Sequence, residues 1–148
     1  MRRGFTMVTA IIFVILVASL GALALSFSSF TVKQTSDVYL REQADLLLQS
    51  GTEFALLAIS GHDIHATGDC VNAINGHFPD NVSPMFDINI SISYLGNGLP
   101  NGCHLLANNV DTNDSNVTVI IDTLVSSNSD NNISSEPIRL HRRTIQKP

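Results

Sequence analysis

The sequence predicts an α+β protein in which one long N-terminal helix lays its second half on a small antiparallel β-sheet. Three observations carry this. No residue from Phe5 to Val32 is charged, and most are Ile, Val, Leu, Ala or Phe. No proline interrupts Lys33 to Ser60, where apolar residues recur at three- and four-residue steps. Beyond Pro84, apolar and polar residues alternate at period two.

At 1.5 Å per residue the uncharged run exceeds the ~30 Å hydrocarbon core of a bilayer, where only a helix satisfies its own backbone. Arg2 and Arg3 precede it, and positive flanks stay on the cytoplasmic side, so the expected orientation is N-terminus in and C-terminus out. Residues 5–32 form the expected transmembrane half of the helix, and residues 33–148 an extracytoplasmic domain. From Lys33 the pattern turns amphipathic. Leu40, Ala44, Leu47, Gly51, Phe54 and Ala58 make one apolar stripe, with Arg41, Glu42, Asp45, Gln49 and Glu53 opposite. Asp37, Arg41 and Asp45 stand at i, i+4 spacing for pairing along the surface. Gly61 supplies the helix end.

Gly61, Gly68, Gly76, Pro79 and Pro84 mark residues 61–84 as a connection, with a short helix expected over Cys70–Ile74. Ile88, Ile90, Ile92 and Tyr94 alternate with Asp87, Asn89, Ser91 and Ser93, which predicts a strand with one wet face. Gly96 to Gly102 is turn-rich. Val117, Val119 and Ile121 alternate with Thr118, Ile120 and Asp122 in a second, more buried strand. Ser126 to Ser135 reads as an exposed loop, and Ile138 and Leu140 alternate with Arg139 and His141 in a third strand. Three strands on the helix's stripe complete the α+β domain.

The net charge of −5 is unevenly spread: no Lys or Arg lies between Arg41 and Arg139, whereas acids recur from Glu42 to Glu136. An acidic body of this kind argues against nucleic acid as a primary partner. The basic segment Arg139–Lys147 is read as solvated, or as a contact for an acidic neighbour. The two cysteines, Cys70 and Cys103, both lie in the expected extracytoplasmic part, where pairing is favoured.

Arg2-Arg3-Gly4-Phe5-Thr6-Met7, followed by the apolar run, resembles the class III signal of type IV pilins and type II secretion pseudopilins. The resemblance implies a pilin-like fold and a leader of residues 1–4, cut between Gly4 and Phe5 by a prepilin peptidase, with N-methylation of Phe5. It also implies an inner-membrane protein that an assembly platform adds to a filament of other pilin or pseudopilin subunits. Major pilins carry Glu at the fifth position after the cut, thought to neutralise a neighbour's terminal amine; that position here is Thr9. A threonine supplies no such charge, and minor tip-type subunits share its absence. The expected function is thus a minor pilin or pseudopilin, a structural subunit rather than an enzyme. The alternative is a secreted or single-pass anchored extracytoplasmic binding protein, since Ala22-Leu23-Ala24 is an acceptable signal-peptide cleavage site. The cysteine pair departs from the family pattern: Cys70 lies just past the helix and Cys103 before the last two strands.

Asp111, Asn113, Ser115 and Asp122 fall at positions 1, 3, 5 and 12 of a calcium-loop spacing, although Asn116 stands where the turn glycine belongs and Asp122 where Glu does. They are a candidate Ca2+ set whose bland counterpart is a solvated Asp/Asn loop; no other cofactor is indicated. His62, His65, Asp69 and Cys70 are too loosely spaced for a transition-metal site. Asn89, Asn116 and Asn132 each have Ser or Thr two residues later and an acid two residues earlier, the pattern of a glycan acceptor in an exported protein. No P-loop, nucleophile elbow or dinucleotide fingerprint occurs.

Overall fold

An unbroken helix, α1, spans Arg3–Ser60, as its freedom from proline allows. The computed structural model describes residues 3–110, 117–128, 133–134 and 136–148, without the side chains of residues 3–6 and 65. The chain divides into two units, residues 1–39 and 40–148. In the first, every described side chain from Met7 to Ser36 is exposed. This helix is long and apolar enough to cross a membrane.

The second unit holds the end of α1, a one-turn helix α2 (Ile64–Thr67), and strands β1 (Ala73–Phe78), β2 (Phe86–Gly96), β3 (Leu105–Ala107), β4 (Val117–Ser127) and β5 (Arg139–Gln146). The sheet order is β1-β2-β4-β5, each neighbour antiparallel, while β3 runs parallel to β2 beyond the end of β1. Phe86, Ile90, Ile92 and Tyr94 of β2 and Val119, Ile121, Thr123 and Val125 of β4 are buried on the inner face. The α+β class and the three expected strands are present. Strands β1 and β3 are additional, β4 runs on through Ser127, and β5 through Gln146.

Residues Leu40 to Ser60 of α1 cover that inner face. Leu40, Ala44 and Leu48 pack with Phe86, Val125 and Ile138. Ala55 and Ile59 pack with Ile90, Ile92, Tyr94, Val119, Ile121 and the cysteine pair. Between these clusters Gly51 lies against the strands. A β-carbon on Gly51 would stand 3.3 Å from Thr123 Cγ2 and 3.5 Å from both Ile88 Cγ2 and Ile90 Cδ1. The neighbouring Thr52 hydroxyl donates to Leu48 O at 2.9 Å, so the Thr123 hydroxyl 3.1 Å away donates to Thr52.

The expected stripe is offset. Its steps average about 3.6 residues, as a straight helix requires, but the face that meets the sheet is turned by roughly 60–70° from it at about 100° per residue. Leu40, Ala44 and Gly51 are buried as expected and Leu48, Thr52, Ala55 and Ile59 join them, leaving Leu47 and Ala58 half-buried and Phe54 exposed. The short helix is also displaced. It forms at Ile64–Thr67, where Asp63 Oδ1 accepts from the Ala66 N–H at 3.0 Å and Gly68 ends it with a φ of 70°. Residues from Ala73 onward pair with β2 instead. At the end of α1 the Gly61 N–H donates to Leu57 O at 3.0 Å, as expected of a helix end.

Gly51→Leu is expected to force α1 off the sheet and to destabilise the protein by about 1–3 kcal/mol or more, the usual range for overpacking. Thermal melts of the two proteins check this. Gly51→Ala should cost far less, because only the Thr123 methyl has to give way.

Candidate functional site

The exposed surface of α1 is the most distinctive chemical feature of the chain. In the first unit several hydroxyls satisfy themselves within the helix. Ser19 donates to Leu16 O at 2.8 Å, Ser26 to Ala22 O at 3.1 Å, Ser29 to Ser26 O at 2.9 Å and Thr31 to Phe27 O at 3.0 Å. Back-bonded hydroxyls of this kind need no water, which suits a hydrocarbon surround. Thr9 is exposed within this stretch. Gly4 and Phe5 fall in the first turns of α1, their side chains outside the described part.

In the second unit α1 keeps an apolar face turned away from the sheet. Leu46, Phe54 and Leu57 are 64%, 56% and 69% exposed. Steps of eight and three residues bring them to one side of the helix, opposite the buried row. Sequence reasoning missed this second stripe because it assigned Phe54 inward and gave Leu46 and Leu57 no role. The signal was present in the excess of apolar residues over what one face holds.

Cys70 and Cys103 form a disulfide with Cα atoms 4.8 Å apart, joining the connection before β1 to the one after β2. Asn72 braces the same place: its Nδ2 donates to Gly102 O at 2.8 Å, and its Oδ1 accepts from the His104 N–H at 2.7 Å. A β-carbon on Gly102 would lie 2.6 Å from Asp69 Oδ1 and force that carboxylate to move. The buried Tyr94 hydroxyl donates to Val71 O at 2.8 Å. Burial, with the Asp69 charge adding to it, pushes that phenol up to about 12.

The outer face of the sheet is polar. Asp122 on β4 lies directly opposite Arg143 on β5 and accepts from its Nε at 2.7 Å and Nη2 at 2.9 Å, with His141 Nε2 3.0 Å away. The Arg143 guanidinium, followed by His141, holds the Asp122 carboxyl below the usual carboxylate range despite partial burial. Both oxygens of this calcium-spacing residue are thus bonded to cationic side chains or their donors; Asp111, Asn113 and Ser115 lie outside the described residues. Asn89 is exposed on this outer face, in the central strand β2. Asn116 and Asn132 lie outside the described residues. Among the described residues no three His, Cys, Asp or Glu side chains converge as a metal set. His62 Nε2 lies 3.0 Å from Asp69 O and 3.1 Å from Thr67 Oγ1, and Cys70 is committed to its disulfide. The Asp122–Arg143 pair was not legible beforehand, since it depends on the register of β4 against β5.

No protein-family model, no characterised protein and no solved structure matches the chain.

Replacing both cysteines by serine opens a loop of separation 33 and should lower stability by roughly 3–4 kcal/mol on the chain-entropy estimate; denaturant titration of the double variant checks it. The Asp122–Arg143 pair carries a pH signature. Because the folded carboxyl is depressed, its contribution is present above the unfolded value of about 3.9 and lost as pH falls through the lower folded value. Arg143→Gln should therefore lower stability only slightly at neutral pH, as for an exposed ion pair, and the gap to the parent protein should close in acid. Paired melts across pH measure it.

Proposed function

We propose that this chain is a minor pilin or pseudopilin, a structural subunit of a type II secretion or type IV pilus filament rather than an enzyme. One observation carries the reading. A single helix is apolar and exposed from Met7 to Val32, and where it covers a sheet it still keeps Leu46, Phe54 and Leu57 bare. A subunit stored in a membrane and later packed among neighbouring helices needs both surfaces. The first is satisfied by lipid before assembly. The second has a partner only once a neighbouring subunit's helix lies against it. The leader-like Arg2-Arg3-Gly4-Phe5 supports the same reading and supplies the processing step, cleavage after Gly4 and methylation of Phe5. A prepilin peptidase and an inner-membrane assembly platform are the partners this entails.

The protein would sit in the inner membrane with its N-terminus inside and its disulfide-bonded sheet domain outside the cytoplasm. Arg2 and Arg3 favour that orientation, and a structural disulfide belongs to an oxidising compartment. Thr9 assigns the subunit to the filament tip. A terminal ammonium of a neighbour buried beside Thr9 would lack the carboxylate that pairs it in the shaft, and an unpaired buried charge is costly.

The mature N-terminus, read by mass spectrometry on protein from its native membrane, tests the proposal. A chain that begins at N-methylated Phe5 is the expected result. A start at Leu25 would make this an ordinary exported protein, and an intact Met1 a plain membrane anchor; either overturns the filament reading.

A further inference from the structure

The outer face of the sheet holds a shallow depression of about 470 Å³ that runs from β1 to β5, the size of a small-molecule site. Strand pairing sets its side chains in rows. Asn75, Asn89, Leu124 and His141 stand in line across the four strands, with Ser91 and Asp122 in the next row. Arg139 lines the depression from β5. The acids of this face are already committed. Asp122 holds Arg143 and His141, and Asp87, beside the depression, holds His77 and Asn128. The remaining polar groups are not. Asn75, Asn89, Ser91 and Arg139 are exposed, and among the described residues their side chains make no hydrogen bond or ion pair. Asn75 and Asn89 are direct cross-strand partners, yet their amides do not bond each other. Asparagine is a poor strand former, so two opposed amides on this face give the fold nothing in return. Half-buried Leu124 is an apolar floor beside them.

We infer that this depression binds an acidic sugar, a short saccharide that carries a uronic-acid carboxylate. Charge selects the acid. The chain carries a net charge of −5, so an anion is drawn only where a cation stands uncommitted, and Arg139 is that cation here. Its planar guanidinium matches a carboxylate through two parallel hydrogen bonds. The neutral groups select the sugar. Each asparagine amide offers both donors and an acceptor, and the Ser91 hydroxyl does the same. A ring hydroxyl is likewise donor and acceptor, so neighbouring hydroxyls of a sugar match this set. Leu124 meets the C–H side of the ring. A bare phosphate would engage Arg139 and leave the amides and the leucine unused. An extended peptide would seek a strand edge for its backbone, whereas these groups lie on the face. From β2 to β5 is two strand spacings, about 10 Å, which calls for more than one ring. The site lies within the second unit and does not depend on the filament reading; it applies equally to a plain anchored protein.

The test is titration calorimetry on the full chain, in a detergent without a sugar headgroup and with Asn89 shown unmodified by peptide mapping. The probes are digalacturonate, diglucuronate, the methyl ester of each, and inorganic phosphate. Saturable binding of at least one diuronate is expected. Its methyl ester should bind about tenfold more weakly, and Arg139→Gln should weaken the acid to the same degree, the usual worth of a hydrogen bond to a charged group. Asn89→Ala should weaken the acid severalfold. Both replaced positions are exposed, so the variants should melt with the parent, which separates lost binding from lost fold. Failure of both diuronates to bind would overturn the inference. So would phosphate binding as tight as the diuronate, which would make this a plain anion site, or an affinity that Arg139→Gln or esterification leaves unchanged.

Discussion

The second unit depends on how closely α1 can lie on the sheet. At Gly51 no side chain intervenes, and a single added β-carbon would already touch Thr123, Ile88 and Ile90. Beside it the Thr123 hydroxyl donates to Thr52 and the Thr52 hydroxyl to Leu48 O, so a polar pair sits in the core without an orphaned donor. On either side of this seam the helix can then use ordinary side chains. Leu48 meets Phe86 and Val125 on one side, and Ile59 meets Tyr94 and Ile92 on the other. Each fully buried aliphatic or aromatic residue contributes on the order of 1.5–3 kcal/mol. A bulkier residue at position 51 would part both clusters at once, which is why one glycine governs so much packing.

A sheet gripped at its middle still needs its ends fixed. The Cys70–Cys103 bond, the Asn72 side chain across Gly102 and His104, and the Tyr94 hydroxyl on Val71 meet at one end. Asp80 does similar work at the β1–β2 turn, accepting from the Val82 and Ser83 N–H groups. Those two donors hold the Asp80 carboxyl below its ordinary value. At the far edge β5 is held to β4 by its ladder and by Arg143 on Asp122, and Arg142 Nη2 stands 3.7 Å from Asp45 on α1. The basic C-terminal segment, read from sequence as a short strand with charges either solvated or offered to an acidic neighbour, continues as β5 to Gln146, and its charges are partly spent within the molecule.

What was legible in the sequence follows the strength of the period. The proline-free helix and the alternating Ile88 to Tyr94 and Val117 to Ile121 runs survive as α1, β2 and β4 because long regular patterns outweigh local preference. Strand β1 was hidden because its inward positions are Ile74, Gly76 and Phe78, so glycine breaks the alternation at its centre and Pro79 follows at once. Strand β3 is three residues long and pairs in parallel, which no local pattern announces. The cysteine pairing could be anticipated from compartment and count. The Asp122–Arg143 pair could not, since it depends on the register of β4 against β5, and the bare stripe on α1 was legible only as an excess of apolar residues, not as the face they occupy.

That stripe and the two edges divide the surface by chemistry. Apolar side chains stand away from the sheet on α1, arginines guard β5, and β1 is neutral and bare. A monomer that worked alone would gain nothing from leaving Leu46, Phe54 and Leu57 exposed in water, since scattered apolar residues are ordinary but a helical row of them is not. Charge sorting sharpens the point. Between Arg41 and Arg139 the chain has no Lys or Arg, so the acidic surfaces of two copies repel each other, and the neutral surfaces and the basic β5 edge escape that repulsion. The helix stripe and the β1 edge are among the neutral surfaces, and they meet different needs. A helix row accepts another helix at many rotations, whereas a strand edge accepts only an extended backbone in register.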